Sequence, residues 1–243
     1  MRLEGKVALV TGGGGGIGRA IAIALATAGA QVVISGRRIE ALEETAAAVK
    51  TDPPIRYFVA DIIDRVQVNK LIAWTRSQCG PIDILVNNAG INIPDRSLAT
   101  LTPENWDRLM QVNASGAFYL VHAALPAMRA RRSGLIINIS SMAGVRASVV
   151  SGAAYTAAKH ALCALSRVIS LEEKDNGIRA TNICPGEVDT PILDERPEPV
   201  SDEHRAQILQ PEDVAAAVLF VASLPPRAHV PELYIKPTTH PFS

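Results

Sequence analysis

The fold is decided by one stretch near the start of the chain: Val7-Ala8-Leu9-Val10-Thr11-Gly12-Gly13-Gly14-Gly15-Gly16-Ile17-Gly18. A short apolar run leads directly into five consecutive glycines, and a segment of helical period follows. Glycines let the backbone turn sharply and approach a pyrophosphate, and the positive end of the next helix attracts its charge. A flexible turn is the simpler alternative, but the position between strand and helix favours phosphate binding. The predicted phosphate-binding residues are Gly12, Gly14, Gly15, Gly16, Ile17 and Gly18.

Outward from this stretch, short β-branched runs alternate with longer segments rich in alanine and leucine. The alternation predicts an α/β fold: a single Rossmann-type doubly wound domain over residues 1–243, with a seven-stranded parallel sheet and helices on both faces. The predicted strands cover residues 7–10, 32–35, 55–59, 82–86, 135–139, 179–183 and 233–235. The predicted helices cover residues 17–28, 40–50, 66–78, 103–128, 153–174 and 211–223.

The end of the second predicted strand reads Ser35-Gly36-Arg37-Arg38. NAD sites usually place a carboxylate there to bind the adenosine ribose hydroxyls. A glycine followed by two guanidinium groups instead makes room for a ribose phosphate and binds it through forked hydrogen bonds. This pattern predicts that NADP(H) is preferred over NAD(H). The alternative is that Arg37 and Arg38 are merely solvated at a helix start.

Tyr155 and Lys159 lie four residues apart on a predicted helix, so their side chains share one face. A free phenol has a pKa near 10, and a nearby ammonium is expected to stabilise the phenolate and lower that pKa. Such a pair exchanges a proton with an alcohol or carbonyl oxygen. Taken alone, the pair is more simply explained as two residues on a half-exposed helix face.

Further motifs follow in a fixed order: Asn87-Asn88-Ala89-Gly90 after the fourth strand, Ser140-Ser141 after the fifth, and then Tyr155 and Lys159. With the glycine turn, these motifs make the sequence resemble the short-chain dehydrogenase/reductase family. The resemblance extends from Gly5 to Thr190. It implies that Tyr155 is the general acid or base, and that Lys159 lowers its pKa while binding the nicotinamide ribose.

The resemblance also implies roles for other catalytic residues. Ser141 is expected to hydrogen-bond the substrate oxygen, because Ser141-Met142-Ala143-Gly144 matches the family's Ser-x-x-Gly arrangement; Ser140 is the alternative. Asn113 is expected to hold a water near Lys159 and to complete a proton path. The same resemblance assigns the remaining cofactor contacts to Asp61, Ile62, Asn88, Ala89, Gly90, Pro185, Gly186, Val188 and Thr190.

Bulk composition excludes several function classes. Lys plus Arg equals Asp plus Glu at 24 each. The protein therefore has no net charge that would attract nucleic acid or an acidic membrane. Cys79, Cys163 and Cys184 lack the close pairing of a zinc site and read as free thiols, which indicates a reducing compartment. Without a targeting or membrane segment, the expected location is cytoplasmic.

The segments expected to select the substrate are the least interpretable ones. Residues 191–210 hold several prolines and charges and read as a mobile substrate loop, with a passive surface loop as the alternative. Arg146 is more simply a solvated side chain than a partner of a substrate carboxylate. The final stretch, from Leu233 to Pro241, resembles a subgroup of NADP-preferring reductases acting on hydroxy acids, small alcohols and aldehydes.

The function expected is thus an NADP(H)-dependent oxidoreductase that acts on a carbonyl or secondary alcohol of a small organic substrate. An NADP(H)-binding regulatory or structural protein without turnover is the alternative, because a fold does not determine activity. Family resemblance further predicts a homo-oligomer, a tetramer or dimer, assembled through the two long helices at residues 103–128 and 153–174. Burial of their apolar faces within the monomer is an equal alternative. No metal is expected.

Overall fold

Seven parallel strands form one sheet in the computed structural model, which describes residues 3–239. Their order is β3-β2-β1-β4-β5-β6-β7. After β3 the chain therefore returns to the centre of the sheet, where β4 pairs with β1 on the side opposite to β2. The loops that follow β1 and β4 therefore leave in opposite directions and open a crevice at the carboxyl edge. The strands are β1 Val7–Thr11, β2 Gln31–Gly36, β3 Arg56–Val59, β4 Ile84–Asn87, β5 Gly134–Ile139, β6 Ile178–Pro185 and β7 Glu232–Ile235.

Helices cover both faces of the sheet, as the sequence predicts. On one face α1 and α8 pack together, and on the other α3 packs against α5 beside α6. Their bounds are α1 Gly16–Thr27, α2 Ile39–Ala47, α3 Arg65–Cys79, α4 Pro103–Met110, α5 Gly116–Arg131, α6 Ala153–Glu172, α7 Asp202–Arg205 and α8 Pro211–Ala222. The predicted doubly wound α/β fold is confirmed.

Successive residues of the central strands point to opposite faces, and both faces are buried. In β1, Ala8 and Val10 join the core under α1 and α8, whereas Leu9 joins the core under α3 and α5. All five side chains of this strand are buried. Continuous apolar strands are thus explained by helices on both sides of a parallel sheet.

Helix starts follow the capping signals in the sequence. The Asp64 carboxylate accepts hydrogen bonds from the Val66 and Gln67 amides at the start of α3. Thr102 caps α4 with Pro103 in its first turn, and Gln210 opens α8 with a reciprocal capping box. These caps satisfy amides that have no partner within the helix.

One predicted helix is wrong: residues 103–128 do not form a single α-helix. A π-helical turn, Gln111–Ser115, separates α4 from α5. Asn113 lies in this turn, and its side chain donates to the carbonyls of Leu109 and Ile91. The Gly116 amide then bonds to the Gln111 carbonyl, five residues earlier. A side chain that enters the hydrogen-bond ladder produces such an interruption, which periodicity alone does not reveal.

Residues 191–210 carry short elements that the sequence does not predict. A 3₁₀ turn covers Pro191–Leu193, and α7 lies within the segment. Arg205 pairs with Asp189 at 2.7 Å, and His204 contacts Glu187 at 2.8 Å, so the segment is held against the exit of β6. In the terminal stretch, His240 and Pro241 lie outside the described residues.

Candidate active site

Thr11 joins the loop after β1 to the loop after β4. Its buried hydroxyl donates to the Val86 carbonyl at 3.3 Å and accepts from the amides of Asn88 and Ala89 at 3.1 and 3.2 Å. The Asn88 side chain returns a hydrogen bond to the Thr11 carbonyl at 2.9 Å. The two loops that border the crevice are therefore fixed to each other.

Two glycines of the turn meet geometric demands that no other residue meets. Gly12 has a φ of +65°, and a Cβ there would lie 2.9 Å from the Ala89 Cα. A Cβ on Gly18 would lie 2.1 Å from the Gly12 carbonyl oxygen. The turn thus folds tightly against both the second loop and its own helix.

The start of α1 is prepared for an anion. Gly15 precedes the helix and offers no side-chain cap, and the first turn contains no acidic residue. A Cβ on Gly15 would meet nothing within 4 Å, so the backbone there faces open space. Uncapped amides at the positive end of a helix attract phosphate, and this geometry fits the pyrophosphate of a dinucleotide.

Arg37 and Arg38 line the same cavity at the end of β2, on the side of Gly36. Both side chains are exposed, and neither makes a hydrogen bond or ion pair with the described residues. Arg38 also precedes α2, where its positive charge faces the positive helix end. Two cations in this position are unfavourable without an anion nearby.

Two of the predicted cofactor contacts, Asp61 and Ile62, follow the end of β3. Asp61 is half-buried, and its carboxylate accepts a hydrogen bond from the Ile63 amide at 3.2 Å. Ile62 is buried against Gly116, where a Cβ would come within 2.6 Å of the Ile62 Cδ1. Ile62 therefore has a fixed position beside α5.

The exit of β6 forms the opposite border of the crevice. The Gly186 amide donates to the Ile235 carbonyl at 2.7 Å, and the buried Val188 pairs with Leu209 in an isolated bridge. Thr190 is buried and approaches the glycine turn, where its Cγ2 would lie 3.3 Å from a Cβ on Gly16. The chain thus crosses from β6 back to the start of α1.

The crevice contains a cavity of about 940 Å³. It brings together all of the predicted site residues except Asn113, from segments spread over most of the chain. Those lining it are Gly12, Gly14, Gly15, Gly16, Ile17, Gly18, Arg37, Arg38, Asp61, Ile62, Asn88, Ala89, Gly90, Ser141, Tyr155, Lys159, Pro185, Gly186, Val188 and Thr190.

Tyr155 and Lys159 share one face of α6, as their spacing predicts. The Lys159 Nζ lies 5.5 Å from the Tyr155 ring centre and donates to the Ile139 carbonyl at 2.9 Å. Burial lowers the pKa of Lys159 to about 8. Burial also raises the pKa of Tyr155 to about 12, against smaller lowering effects from Ser141 and Arg96.

The expectation that the ammonium lowers the phenol pKa is therefore not met in the cofactor-free protein. Desolvation of the hydroxyl outweighs the attraction of nearby charges, and the cation that acts on the phenol is Arg96 rather than Lys159. At neutral pH Tyr155 carries its proton. This state suits a proton donor.

The two adjacent serines have different environments. The Ser140 hydroxyl is buried, donates to the Lys159 carbonyl at 3.2 Å and accepts from the Cys163 thiol at 3.1 Å. The Ser141 hydroxyl oxygen accepts from the Ala143 amide at 3.1 Å, and the Ser141 side chain also hydrogen-bonds Tyr155. This difference favours Ser141 over Ser140 as the residue beside the reacting oxygen.

Asn113 is buried behind the cavity wall. Its amide nitrogen donates to Ile91 and Leu109, and its oxygen accepts from the Ile91 amide at 3.0 Å. A Cβ on Gly90 would lie 2.8 Å from that oxygen and 3.6 Å from the Lys159 Nζ. Asn113 thus anchors the turn beside Lys159, and its role in a proton path stays a prediction.

Arg96 is a cavity residue that the sequence analysis does not single out. It is 6% exposed, and it lies in the segment 91–99, which shows neither periodicity nor a motif. Arg146, predicted to be solvated, is half-buried and also lines the cavity. The only available signal for either residue was its position in a loop near the motif residues.

Comparison with known proteins agrees with this geometry. The family model described as short chain dehydrogenase matches residues 6–200. An uncharacterized oxidoreductase of Staphylococcus saprophyticus is 33% identical over 239 residues, which cover 98% of this chain and 99% of the relative. Within the described residues, no helix is long and apolar enough to cross a membrane.

Solved structures show the same architecture. The closed form of a serine dehydrogenase complexed with NADP+ superposes with a TM-score of 0.87 at 29% identity, covering 98% of this chain and 97% of the other. A 3-ketoacyl-(acyl-carrier-protein) reductase from Brucella melitensis complexed with NADH gives 0.88 at 29% identity, covering 96% and 98%. This chain belongs to the short chain dehydrogenase family and is an oxidoreductase.

Proposed function

We propose that this protein transfers a hydride between NADP(H) and the carbonyl or secondary alcohol carbon of a small organic substrate. The observation that carries this proposal is one cavity lined by the glycine turn, Ser141, Tyr155 and Lys159. A phosphate-binding turn and the Tyr155–Lys159 pair in the same crevice fit a reaction that depends on a nicotinamide cofactor. The bound nicotinamide supplies the hydride.

Tyr155 acts as the general acid in reduction and as the general base in oxidation. Its raised pKa keeps the phenol protonated at neutral pH, ready to donate to a developing alkoxide. The Ser141 oxygen accepts from a backbone amide, which leaves its hydroxyl hydrogen to donate towards Tyr155 or the substrate oxygen. Together the two hydroxyls orient and stabilise the reacting oxygen.

Lys159 holds the ribose end of the site. One of its three N–H donors binds the Ile139 carbonyl, which fixes the ammonium beside Gly90. The other two are available to ribose hydroxyls. Asn113 supports this arrangement by anchoring the adjoining turn at Ile91, and we propose that it also holds a water of the proton path.

Replacement of Tyr155 by phenylalanine tests the proposed function. We expect Tyr155→Phe to lower kcat by about a hundredfold or more, because proton transfer loses its donor. NADPH binding, measured by calorimetry, is expected to stay near that of the wild type. Unchanged turnover would contradict the role of Tyr155. A wild-type protein that binds NADPH but turns over no ketone, aldehyde, hydroxy acid or alcohol would favour the regulatory alternative.

Preference for NADP(H) is supported by the two exposed guanidinium groups beside Gly36. Arg37→Gln and Arg38→Gln should raise the KM for NADPH about tenfold or more and leave the KM for NADH nearly unchanged. Similar structures carry either NADP+ or NADH, so both cofactors need to be assayed. Equal or faster wild-type rates with NADH would contradict this preference.

Three further features belong to this proposal. Pro191, Ile192, Leu193 and Arg196 line the cavity, and we propose that the segment 191–210 moves when substrate enters. The three free thiols suit a reducing compartment such as the cytoplasm. Exposed apolar side chains on α5 and α6 suit a homo-oligomer, a dimer or tetramer.

A further inference from the structure

A buried cation lies in the cavity wall close to the proposed proton donor. The Nε of Arg96 donates to the Ile93 carbonyl at 2.7 Å, and its Nη1 donates to the Val150 carbonyl at 3.0 Å. Its Nη2 donates to the Glu195 carbonyl. One side chain thereby joins three loops that are distant in sequence.

The positive charge of Arg96 has no counter-ion among residues 3–239. All three acceptors are neutral carbonyls, and no described carboxylate forms an ion pair with the guanidinium. Burial lowers the pKa of Arg96, and the charge of Arg196 lowers it further, against a smaller raising effect of Glu195. A buried cation that forms no ion pair is costly, and an anion bound beside Arg96 would lower that cost.

The surrounding wall is also electropositive. Arg146 and Arg196 line the same part of the cavity. Arg196 pairs with the buried carboxylate of Glu187, so that charge is already compensated. Arg96 differs because its three acceptors are neutral carbonyls, and two of its five N–H donors have no acceptor in the described chain.

Arg96 is also near the reacting centre. Arg96 and Tyr155 line the same cavity, and the charge of Arg96 also lowers the pKa of Tyr155. A group bound to Arg96 would therefore belong to the same small molecule whose oxygen meets Tyr155. Two free N–H donors on one guanidinium match the two oxygens of a carboxylate.

We propose that the substrate carries a carboxylate that binds Arg96, so that the protein reduces oxo acids or oxidises the corresponding hydroxy acids. This assignment rests on the proposed hydride transfer. In reduction, the hydride from the nicotinamide goes to the carbonyl carbon and the Tyr155 proton goes to the carbonyl oxygen. The carboxylate remains ionised and unchanged, and it holds the carbonyl at a fixed distance from Arg96.

Paired substrates test this assignment. Pyruvate, acetoacetate and levulinate would be assayed with NADPH beside their methyl esters, neutral ketones and dihydroxyacetone phosphate. At least one acid should exceed its ester in kcat/KM by about tenfold to a hundredfold. Esters that react as well as the acids, or a clear preference for the phosphate, would overturn the carboxylate assignment while leaving hydride transfer intact. Absence of turnover with every compound would contradict the proposed function as well.

Arg96 variants separate charge recognition from loop support. Arg96→Gln should lower kcat/KM for the acid much more than for its ester, so the acid-to-ester ratio should fall about tenfold or more. Arg96→Lys retains the charge and should recover part of that ratio. A purely structural role for Arg96 would lower both rates equally and leave the ratio unchanged. Arg227→Gln removes an exposed arginine outside the cavity and serves as the control.

Binding gives a second readout that does not depend on turnover. Malonate and succinate, which contain no reducible carbonyl, would be titrated calorimetrically into the wild-type complex with NADP+. We expect at least one of them to bind, and its affinity to fall about tenfold in Arg96→Gln but not in Arg227→Gln. Equal affinities in the two variants would contradict a carboxylate site at Arg96.

Discussion

At the scale of single residues, the active site contains a buried charge that opposes folding. Lys159 is 4% exposed, and its pKa lies at about 8 because burial disfavours the ammonium. An unfolded chain would hold the same proton up to a pKa near 10.4. Below about pH 8 both states are protonated, so the full cost opposes folding. The cost fades as the pH rises towards 10.4, because only the unfolded state then still binds the proton.

Lys159→Met should therefore stabilise the cofactor-free protein while abolishing activity. We expect a gain of about 1–3 kcal/mol in the free energy of unfolding at pH 7, partly offset by the lost hydrogen bond to Ile139. Near pH 10 the gain should be much smaller. Urea unfolding at both pH values measures it, with the exposed Lys50→Met as control. Destabilisation at pH 7 would contradict the cost of burying the ammonium.

Arg96 should also set the pH dependence of proton transfer. Its charge lowers the pKa of Tyr155, so Arg96→Gln should raise that pKa further. Oxidation requires the deprotonated phenol, and the acidic limb of its pH–rate profile should therefore move to higher pH. Identical profiles for Arg96→Gln, Arg227→Gln and the wild type would show that Arg96 does not act on Tyr155.

At the scale of elements, the π-helical turn between α4 and α5 positions the floor of the site. Asn113 satisfies both backbone groups of Ile91 and the Leu109 carbonyl. These bonds hold Gly90 between Asn113 and the Lys159 ammonium. A regular helix would leave this side chain without access to the loop after β4. The interruption is therefore what links the helix to that loop.

Asn113→Ala should remove that link. One buried and two half-buried backbone groups would lose their hydrogen bond to Asn113, and we expect the free energy of unfolding to fall by about 2–4 kcal/mol. Hydrogen exchange at the Ile91 amide should accelerate more than exchange elsewhere in the sheet. Asn105→Ala, one turn into α4, changes a side chain without hydrogen bonds and is the matched control. Equal effects of the two variants would contradict an anchoring role.

At the scale of the whole molecule, apolar surface remains uncovered on two long helices. Phe118 on α5 is 47% exposed and Leu171 on α6 is 70% exposed. In the proposed homo-oligomer these side chains would be covered by another copy of the chain. Burial of both helices within the monomer, the other possibility raised by the sequence, does not extend to these faces.

Light scattering should accordingly give a mass of two or four times 25.8 kDa for the wild type. Leu171→Glu and Phe118→Glu should shift the mass towards the monomer, because a charge in an apolar interface is costly. Val66→Glu changes an exposed apolar residue on α3 and should leave the mass unchanged. A monomeric wild type at micromolar concentration would contradict assembly.

The sequence by itself determined the seven strands, the glycine turn and the pairing of Tyr155 with Lys159. These features follow from local rules: period two or 3.6, the need for glycine in a tight turn, and the four-residue spacing of a helix face. Capping residues such as Asp64 and Thr102 are equally local, because each side chain binds amides of the helix that it precedes. Such features depend on neighbours in the chain, which the sequence displays directly.

Only the tertiary structure decided the burial of Arg96, the π-helical turn at Asn113 and the direction of the Tyr155 pKa shift. Each depends on groups far away in sequence: Arg96 meets carbonyls more than 50 residues away, and Asn113 bonds to Ile91 across 22 positions. Desolvation and the choice of hydrogen-bond partner are properties of the packed molecule. The local sequence pattern does not reveal these properties, because the same residues would all be solvated in the unfolded chain.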